Sequence, residues 1–205
     1  MRALVKSGLR RHSNLEIADL TTVFIAGSMN IKHLDRMVKD RIDNIVESEF
    51  DVVVGDADGA DTSIQSYLVE RGALHATVYC SGAKPRNNVG GWAVKTIEAK
   101  HAAGTRAFFT IKDLAMAQVA DFGLMVWDSK STGTLSNVIE LLKQKKKSVV
   151  FVNKEKSFVT VSDVDSLELL LSCMSADARR KADLKIRLLS KIAELKHLQS
   201  ELFEH

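Results

Sequence analysis

Three aspartates follow a short apolar run in the first half of the chain. Residues 52–54 are all valine, and the sequence Gly-Asp-Ala-Asp-Gly-Ala-Asp comes next, with carboxylates at Asp56, Asp58 and Asp61. A pair of acids can stabilise the oxocarbenium ion that develops when a glycosidic bond is cleaved, and a carboxylate can also bind the diol of a ribose. Three negative charges would repel a phosphate. The segment therefore predicts a surface that faces a sugar or a base, with Asp56 and Asp58 as candidate catalytic acids.

The same segment has the pattern of a loop between a buried strand and a helix. The β-branched run 52–54 is typical of a strand covered on both faces, and Gly55 and Gly59 supply backbone freedom before helical periodicity begins. Ligands bind at the carboxyl ends of strands in open α/β sheets, so Gly55, Asp56, Gly59 and Asp61 are candidate ligand-binding residues. The alternative is that Asp58 caps the helix. Asp-x-Asp spacing alone is weak evidence for Mg²⁺, and we expect no cofactor.

Two other glycine-containing turns follow predicted strands and carry hydroxyl groups. Backbone N–H groups at a helix start bind anions, so each turn suits a phosphate, although a plain strand-to-helix connection is the alternative for each alone. Neither turn matches the GxGxxG or P-loop consensus. Lys112 either reaches the phosphate or forms a surface salt bridge. The candidate phosphate-binding residues are Gly27, Ser28, Lys112, Ser131, Thr132, Gly133 and Thr134.

The loop after the third predicted strand, residues 81–92, mixes hydroxyl, cationic, amide and aromatic side chains. Arg86 suits a phosphate or carboxylate, and Asn87 and Asn88 suit a base edge or a sugar. Trp92 either stacks on a base or packs in the core. Ser81 opens the loop and completes the set of candidate ligand-binding residues.

Composition limits the classes of function. The 205 residues carry a net charge of +3, which is too even a balance to indicate nucleic acid, and no apolar stretch approaches the roughly 18 residues of a membrane helix. The lysines of 143–147 are expected to complement a helix dipole. Cys80 and Cys173 lack CxxC spacing, which argues against a disulfide framework and zinc and favours the cytoplasm.

Strand-like and helical patterns alternate along the chain. This alternation predicts an α/β protein with a Rossmann-like, doubly wound and mainly parallel sheet. We expect an N-terminal arm over 1–19, one nucleotide-derivative-binding domain over 20–174 and a C-terminal helix over 175–205. The predicted strands cover 22–26, 51–54, 77–80, 107–110, 123–127 and 149–152.

The last segment has the periodicity of an amphipathic helix of about seven turns. Two interpretations stay open: the helix packs on the sheet domain, or it pairs with a second copy over 178–203 to form a homo-oligomer. The heptad spacing of Leu188, Leu195 and Leu202 slightly favours pairing.

Taken together, Gly27-Ser28, the loop from Gly55 to Asp61, Arg86-Asn87 and the turn from Ser129 to Thr134 resemble the SLOG superfamily, and within it the YpsA-like branch. The superfamily holds Rossmann-like proteins related to the Lonely Guy phosphoribohydrolases and the DNA-processing Smf proteins. The resemblance covers about residues 20–153. It implies a nucleotide- or nucleoside-derived ligand across the carboxyl edge of the sheet, such as an ADP-ribose-like molecule or a nucleoside monophosphate. Gly133 and Thr134 would hold its phosphate, bordered by Gly27 and Ser28, with Arg86 nearby.

One departure from the family pattern affects catalysis. Lonely Guy enzymes continue their Gly-Thr turn with a catalytic Glu, whereas this chain continues with Leu135-Ser136-Asn137 and has no acid until Glu140. We therefore expect a ligand-binding or sensor domain. The alternatives are an N-glycosidic hydrolase or transferase that uses the acids of the 56–61 loop and, less expected, a protein that binds single-stranded DNA.

Overall fold

The computed structural model describes residues 20–98 and 102–201, so the predicted arm over 1–19 lies outside the described residues. Seven strands form one sheet in the order β4-β3-β2-β1-β5-β6-β7. All neighbouring strands are parallel except β6 and β7, which are antiparallel. The strands are Thr22–Gly27 (β1), Asp51–Gly55 (β2), Ala76–Cys80 (β3), Ala93–Thr96 (β4), Phe122–Trp127 (β5), Ser148–Val152 (β6) and Ser157–Val161 (β7).

Helices cover both faces of this sheet, which confirms the predicted Rossmann-like, doubly wound fold. In β1, Val23 and Ile25 pack with the first two helices, whereas Phe24 and Ala26 pack with the later ones. The central strands therefore have a buried side chain at nearly every position. The helices are Arg36–Glu47 (α1), Ala60–Glu70 (α2), Arg106–Val119 (α3), Thr132–Lys143 (α4), Val164–Ser172 (α5), Ala176–Ile186 (α6) and Leu188–Glu201 (α7).

The order of the strands places a crevice at one edge of the sheet. The chain runs outward from β1 through β2 and β3 to β4 and then returns to β5 on the other side of β1. The connections after β1 and β5 therefore diverge to opposite sides, and they leave an opening between the carboxyl ends of these two strands.

One predicted strand is wrong. Residues 107–110 lie in helix α3, although the two phenylalanines and the threonine there favour a strand. The side chain of Thr105 accepts a hydrogen bond from the N–H of Phe108, at 3.3 Å, and so caps the helix. Lys112, Met116 and Ala117 are buried at helical spacing against the sheet. Burial of this face outweighs local strand propensity.

Two strands lack a clear signal in the sequence. The residues of β4 are all exposed at the edge of the sheet, so the strand shows no apolar pattern. The β7 strand pairs with β6 as a hairpin. The loop 81–92 connects β3 to the parallel β4 without a helix.

The predicted C-terminal helix is present and is divided into α6 and α7 at Arg187, whose φ of 53° is left-handed. Ala182 of α6 and Leu188 and Leu195 of α7 are buried against the same chain, in the core cluster that includes α4 and α5. These contacts correspond to the interpretation in which the C-terminal segment packs on the sheet domain. Its pairing with a second copy of the chain over 178–203 stays a prediction. Leu202 lies outside the described residues. None of the helices in the described part of the chain is both long and apolar enough to cross a bilayer.

Candidate functional site

A cleft of about 600 Å³ opens at the crevice between the carboxyl ends of β1 and β5. Its walls come from the connections that follow β1, β2, β3 and β5 and from helices α3, α4 and α6. The size suits a small organic ligand. The two ends of the cleft differ in chemistry, because one is built around the start of α4 and the other around buried charges below α3.

The first end of the cleft is formed by the N-terminus of α4. Ser131 is the N-cap, and its hydroxyl accepts a hydrogen bond from the N–H of Thr134 at 3.4 Å. The carboxylate of Asp128 accepts from the N–H groups of Lys130 and Ser131, at 3.0 and 2.6 Å. The N–H groups of Thr132 and Gly133 have no acceptor among the described residues. They are free to bind an anion in the cleft.

Three cationic side chains line the cleft without a carboxylate partner among the described residues: Arg106, Lys130 and Lys185. Arg106 donates from Nη1 to the hydroxyl of Thr132, at 3.2 Å, which holds the guanidinium at the start of α4. Lys130 precedes α4, and Lys185 comes from α6. These three charges outnumber the one carboxylate at this helix start, that of Asp128, and together with the dipole of α4 they attract an anion to the cleft.

Asn137 is a largely buried residue of the same helix. Its side chain lies on the cleft wall at 8% exposure, and the amide has no hydrogen-bond partner among the described residues. The amide atoms themselves are not fully buried and are accessible from the cleft. A polar ligand would supply the missing hydrogen bonds.

The other end of the cleft has a buried acid and a buried cation, Asp61 of α2 and Lys112 of α3. Asp61 is 6% exposed and Lys112 is 4% exposed. Both side chains fill the space above Gly55, where a Cβ would lie 2.5 Å from Lys112 Nζ and would also clash with Asp61 Oδ2. Glycine at position 55 therefore makes room for these two charged groups. Lys112 Nζ donates to Asp113 at 2.9 Å and lies 3.9 Å from Asp56 Oδ1.

Burial changes the protonation of this pair. Loss of solvent raises the pKa of Asp61 to about 6, with the nearby charge of Lys112 opposing the rise and that of Asp113 adding to it. Burial lowers the pKa of Lys112, but Asp113 and Asp61 raise it by more, so the ammonium stays charged. Asp61 is therefore a carboxyl group that can gain or lose a proton near neutral pH.

No protein-family model matches this chain, and comparisons with curated proteins and with solved structures found no match either. The arguments about function consequently rest on the site itself.

Asp56 and Arg86, both predicted site residues, bind each other. Arg86 donates from Nε and Nη2 to the two carboxylate oxygens of Asp56, at 3.1 and 2.8 Å, and its backbone N–H donates to Oδ2 at 3.0 Å. Burial alone would raise the pKa of Asp56, but the hydrogen bonds from Arg86 outweigh it and hold the pKa below its usual value. Asp56 does not line the cleft, whereas Arg86 does. The catalytic role of Asp56 stays a prediction, with its carboxylate committed to an ion pair.

Asp58 is exposed outside the cleft and accepts a hydrogen bond from the amide of Asn87, at 3.0 Å. The alternative interpretation of Asp58 as a helix cap is wrong, because the N-cap of α2 is Gly59 and no side chain caps it. Asn87 also donates to the carbonyl of Asp56, at 2.9 Å. A catalytic role for Asp58 stays a prediction.

The fold brings half of the predicted site residues to the cleft, mainly those predicted for the phosphate, and places the others outside it. The predicted residues that line the cleft are Gly27, Asp61, Arg86, Lys112, Ser131, Thr132, Gly133 and Thr134.

Several predicted ligand residues support the walls of the cleft. Ser28 is fully buried, and its hydroxyl lies 3.3 Å from that of Thr134, which ties β1 to α4. Asn88 bonds the backbone of Trp92. Ser81 is buried, and its hydroxyl has no partner in the part of the chain that the structure describes. Trp92 lies outside the cleft, packs partly buried against the core and donates from its indole to the carbonyl of Ala73; it precedes strand β4 and does not open a helix.

The sequence analysis missed Arg106, Phe109, Lys130, Asn137 and Lys185. Arg106 and Phe109 were hidden by the wrong strand at 107–110, since only a helix there directs them toward α4 and Arg86. Asn137 follows the Gly-Thr turn by one helical turn, a spacing that a helix starting at Thr132 would have indicated. Lys185 had no signal, because α6 is distant in sequence.

The lysine run of 143–147 does not lie in the cleft. Lys143 pairs with Glu194 at 2.6 Å, and Lys146 donates to the carbonyls of Ala117 and Gln118 at the end of α3. The run therefore stabilises helix ends and helix packing. The sequence analysis predicted the first of these roles, the complement to a helix dipole.

Proposed function

We propose that this cleft binds a nucleotide-derived ligand, in which a phosphate lies at the start of α4 and a sugar or base extends toward Asp61 and Arg86. The observation that carries the proposal is a cleft that contains a helix start with unused N–H groups and three cationic side chains, Arg106, Lys130 and Lys185, none of which has an acidic partner among the described residues. A phosphate supplies the missing negative charge and several acceptor oxygens.

The polar groups farther along the cleft support the remaining part of the ligand. Asn137 offers an amide without a partner among the described residues, and Asp61 offers carboxylate oxygens. Amide and carboxylate side chains hydrogen-bond sugar hydroxyls well, since each hydroxyl both donates and accepts. The resemblance to the SLOG superfamily supports the same class of ligand, and a domain with these features would serve as a sensor or carrier of that ligand.

Removal of one unpaired cation is expected to weaken binding. Arg106→Ala and Lys130→Ala should each raise the Kd for AMP or ADP-ribose by roughly 10- to 100-fold, because a hydrogen bond to a charged group contributes about 1.5–3 kcal/mol. Isothermal titration calorimetry at fixed salt concentration measures the change.

Lys147→Ala is the matched control, because Lys147 is an exposed lysine outside the cleft. It should leave the Kd unchanged. The proposal is contradicted if the wild-type protein binds none of AMP, ribose 5-phosphate and ADP-ribose at millimolar concentrations, or if Lys147→Ala weakens binding as much as Arg106→Ala does.

A second function is cleavage of the N-glycosidic bond of such a ligand, and one observation favours it. The buried carboxyl of Asp61 lines the cleft with a pKa of about 6, which suits an acid that gives up a proton near neutral pH. Asp61 is better placed than Asp56, which is paired with Arg86, and than Asp58, which is outside the cleft.

Chromatography of the released base tests this function. If the protein is a hydrolase, Asp61→Asn should reduce release of adenine from AMP at least 100-fold, because general acid catalysis contributes about 10²–10⁴-fold. Asp58→Asn should retain the rate. Absence of release by the wild-type protein, or equal rates in wild type and Asp61→Asn, would exclude catalysis by Asp61 and leave the binding proposal intact.

A further inference from the structure

Phe109 is the one aromatic side chain among the described residues that line the cleft. It is half-buried and comes from the first turn of α3, where its ring meets Phe108 edge-on with centroids 5.2 Å apart. The other lining residues are mostly charged or hydroxylated. An aromatic ring offers a flat face on which a planar group can stack.

Arg86 lies over this ring and is fixed there. Its guanidinium carbon is 4.6 Å from the ring centroid of Phe109. Asp56, which is 3% exposed, accepts two hydrogen bonds from the guanidinium and a third from the backbone of Arg86. The carboxylate therefore neutralises Arg86 and orients it. This arrangement is unlike that of the free cations at the start of α4.

The pair changes the role expected of Arg86. A cation that already has a bidentate carboxylate partner gains little from a second anion, so Arg86 is poorly suited to hold the phosphate. It is well suited to be the outer layer of a stack, because guanidinium groups stack on flat rings and the ring of Phe109 supports it from below.

We propose that Phe109 and Arg86 form a stacking platform for a planar heteroaromatic base, which makes the ligand a nucleotide rather than a simple sugar phosphate. This inference rests on the proposed function, since it assigns the far part of the same ligand. Asp56 is a positioning residue that holds the guanidinium over the ring of Phe109. Met29, which is 60% exposed on the loop after β1, adds a second large apolar side chain to the cleft.

Two ligands that differ only in the base test the platform: AMP and ribose 5-phosphate. Phe109→Leu keeps an apolar side chain but removes the aromatic face, and it should raise the Kd for AMP about tenfold or more. The Kd for ribose 5-phosphate should change less than twofold. Phe109→Trp keeps an aromatic face and should keep AMP affinity within about threefold of wild type.

The outcomes separate the two proposals. Wild-type binding of both ligands with no selective loss of AMP affinity in Phe109→Leu overturns the platform and keeps the phosphate site. Equal loss for both ligands also overturns it, since the change then acts on the fold or on the phosphate end. A wild-type protein that binds neither of these ligands nor ADP-ribose overturns the proposed function itself. Thermal unfolding of each variant establishes that it is folded at the titration temperature.

Discussion

Gly59→Ala is expected to lower the free energy of unfolding by roughly 3–5 kcal/mol, through backbone strain together with overpacking. The φ and ψ angles of Gly59 are 81° and −123°, a backbone conformation that residues other than glycine rarely adopt. A Cβ there would also lie 2.7 Å from Met29 Cα and would overlap the carbonyl of Met29. The backbone cannot move freely at either residue, because Gly59 immediately precedes α2 and Met29 follows β1 at the cleft.

Urea denaturation measures this loss, and Gly72→Ala is the matched control. Gly72 has a φ of 67°, but a Cβ added there meets no atom within 4 Å. It therefore carries the left-handed strain without the clash, and its expected cost is about 1 kcal/mol. Equal costs at the two positions would show that the contact of Gly59 with Met29 does not constrain the loop.

Lys112→Met is expected to cost about 3–5 kcal/mol at pH 7.5, because the change removes the cation among buried carboxylates. Lys112 is 4% exposed and donates to Asp113 at 2.9 Å, and its charge opposes the raised pKa of Asp61. Without it, the pKa of Asp61 rises further above the value of the unfolded chain.

The sign of the pH dependence follows from that shift. A carboxyl whose folded pKa is raised contributes most to stability below its unfolded pKa, near 4, and this contribution is lost as the pH rises through the folded pKa, about 6 in the wild-type protein. The cost of Lys112→Met should therefore be smaller at pH 5 than at pH 7.5. Chemical denaturation at both pH values measures the difference.

Asp61→Asn in the Lys112→Met background is the control for this mechanism. The amide cannot ionise, so the double variant should recover much of the lost stability at pH 7.5 and show a weaker dependence on pH between 5 and 7.5. A cost of Lys112→Met below 1 kcal/mol, or no recovery in the double variant, would contradict electrostatic coupling between these two residues.

The three aspartates of the 56–61 segment are not equivalent in the structure. They lie in three different environments: a bidentate ion pair, an exposed position and the buried end of the cleft. The sequence alone shows that the negative charge of this segment would repel a phosphate. Only the structure shows that Arg106, Lys130 and Lys185, which carry the opposite charge, line the same cleft.

The local sequence pattern was sufficient to predict the strands that bury apolar residues on both faces of the sheet. The runs near 22–26, 51–54 and 123–127 are apolar because helices cover both faces of the inner strands, so the sequence alone predicted these strands and the doubly wound class. The edge strand β4 has no such constraint and left no pattern. At 107–110, strand propensity was outweighed by the Thr105 cap and by burial of Met116 and Ala117.

Sequence by itself determined which side chains would be available for a site: carboxylates after β2, hydroxyls before α4 and an Arg-Asn pair after β3. Only the tertiary structure decided which of them face the cleft, because that depends on strand order and on helix faces that meet across long separations in the chain. It paired Asp56 with Arg86, buried Asp61 beside Lys112 and brought Lys185 from α6 to the cleft. The energies of those contacts depend on burial and distance, and neither quantity is a property of the local sequence.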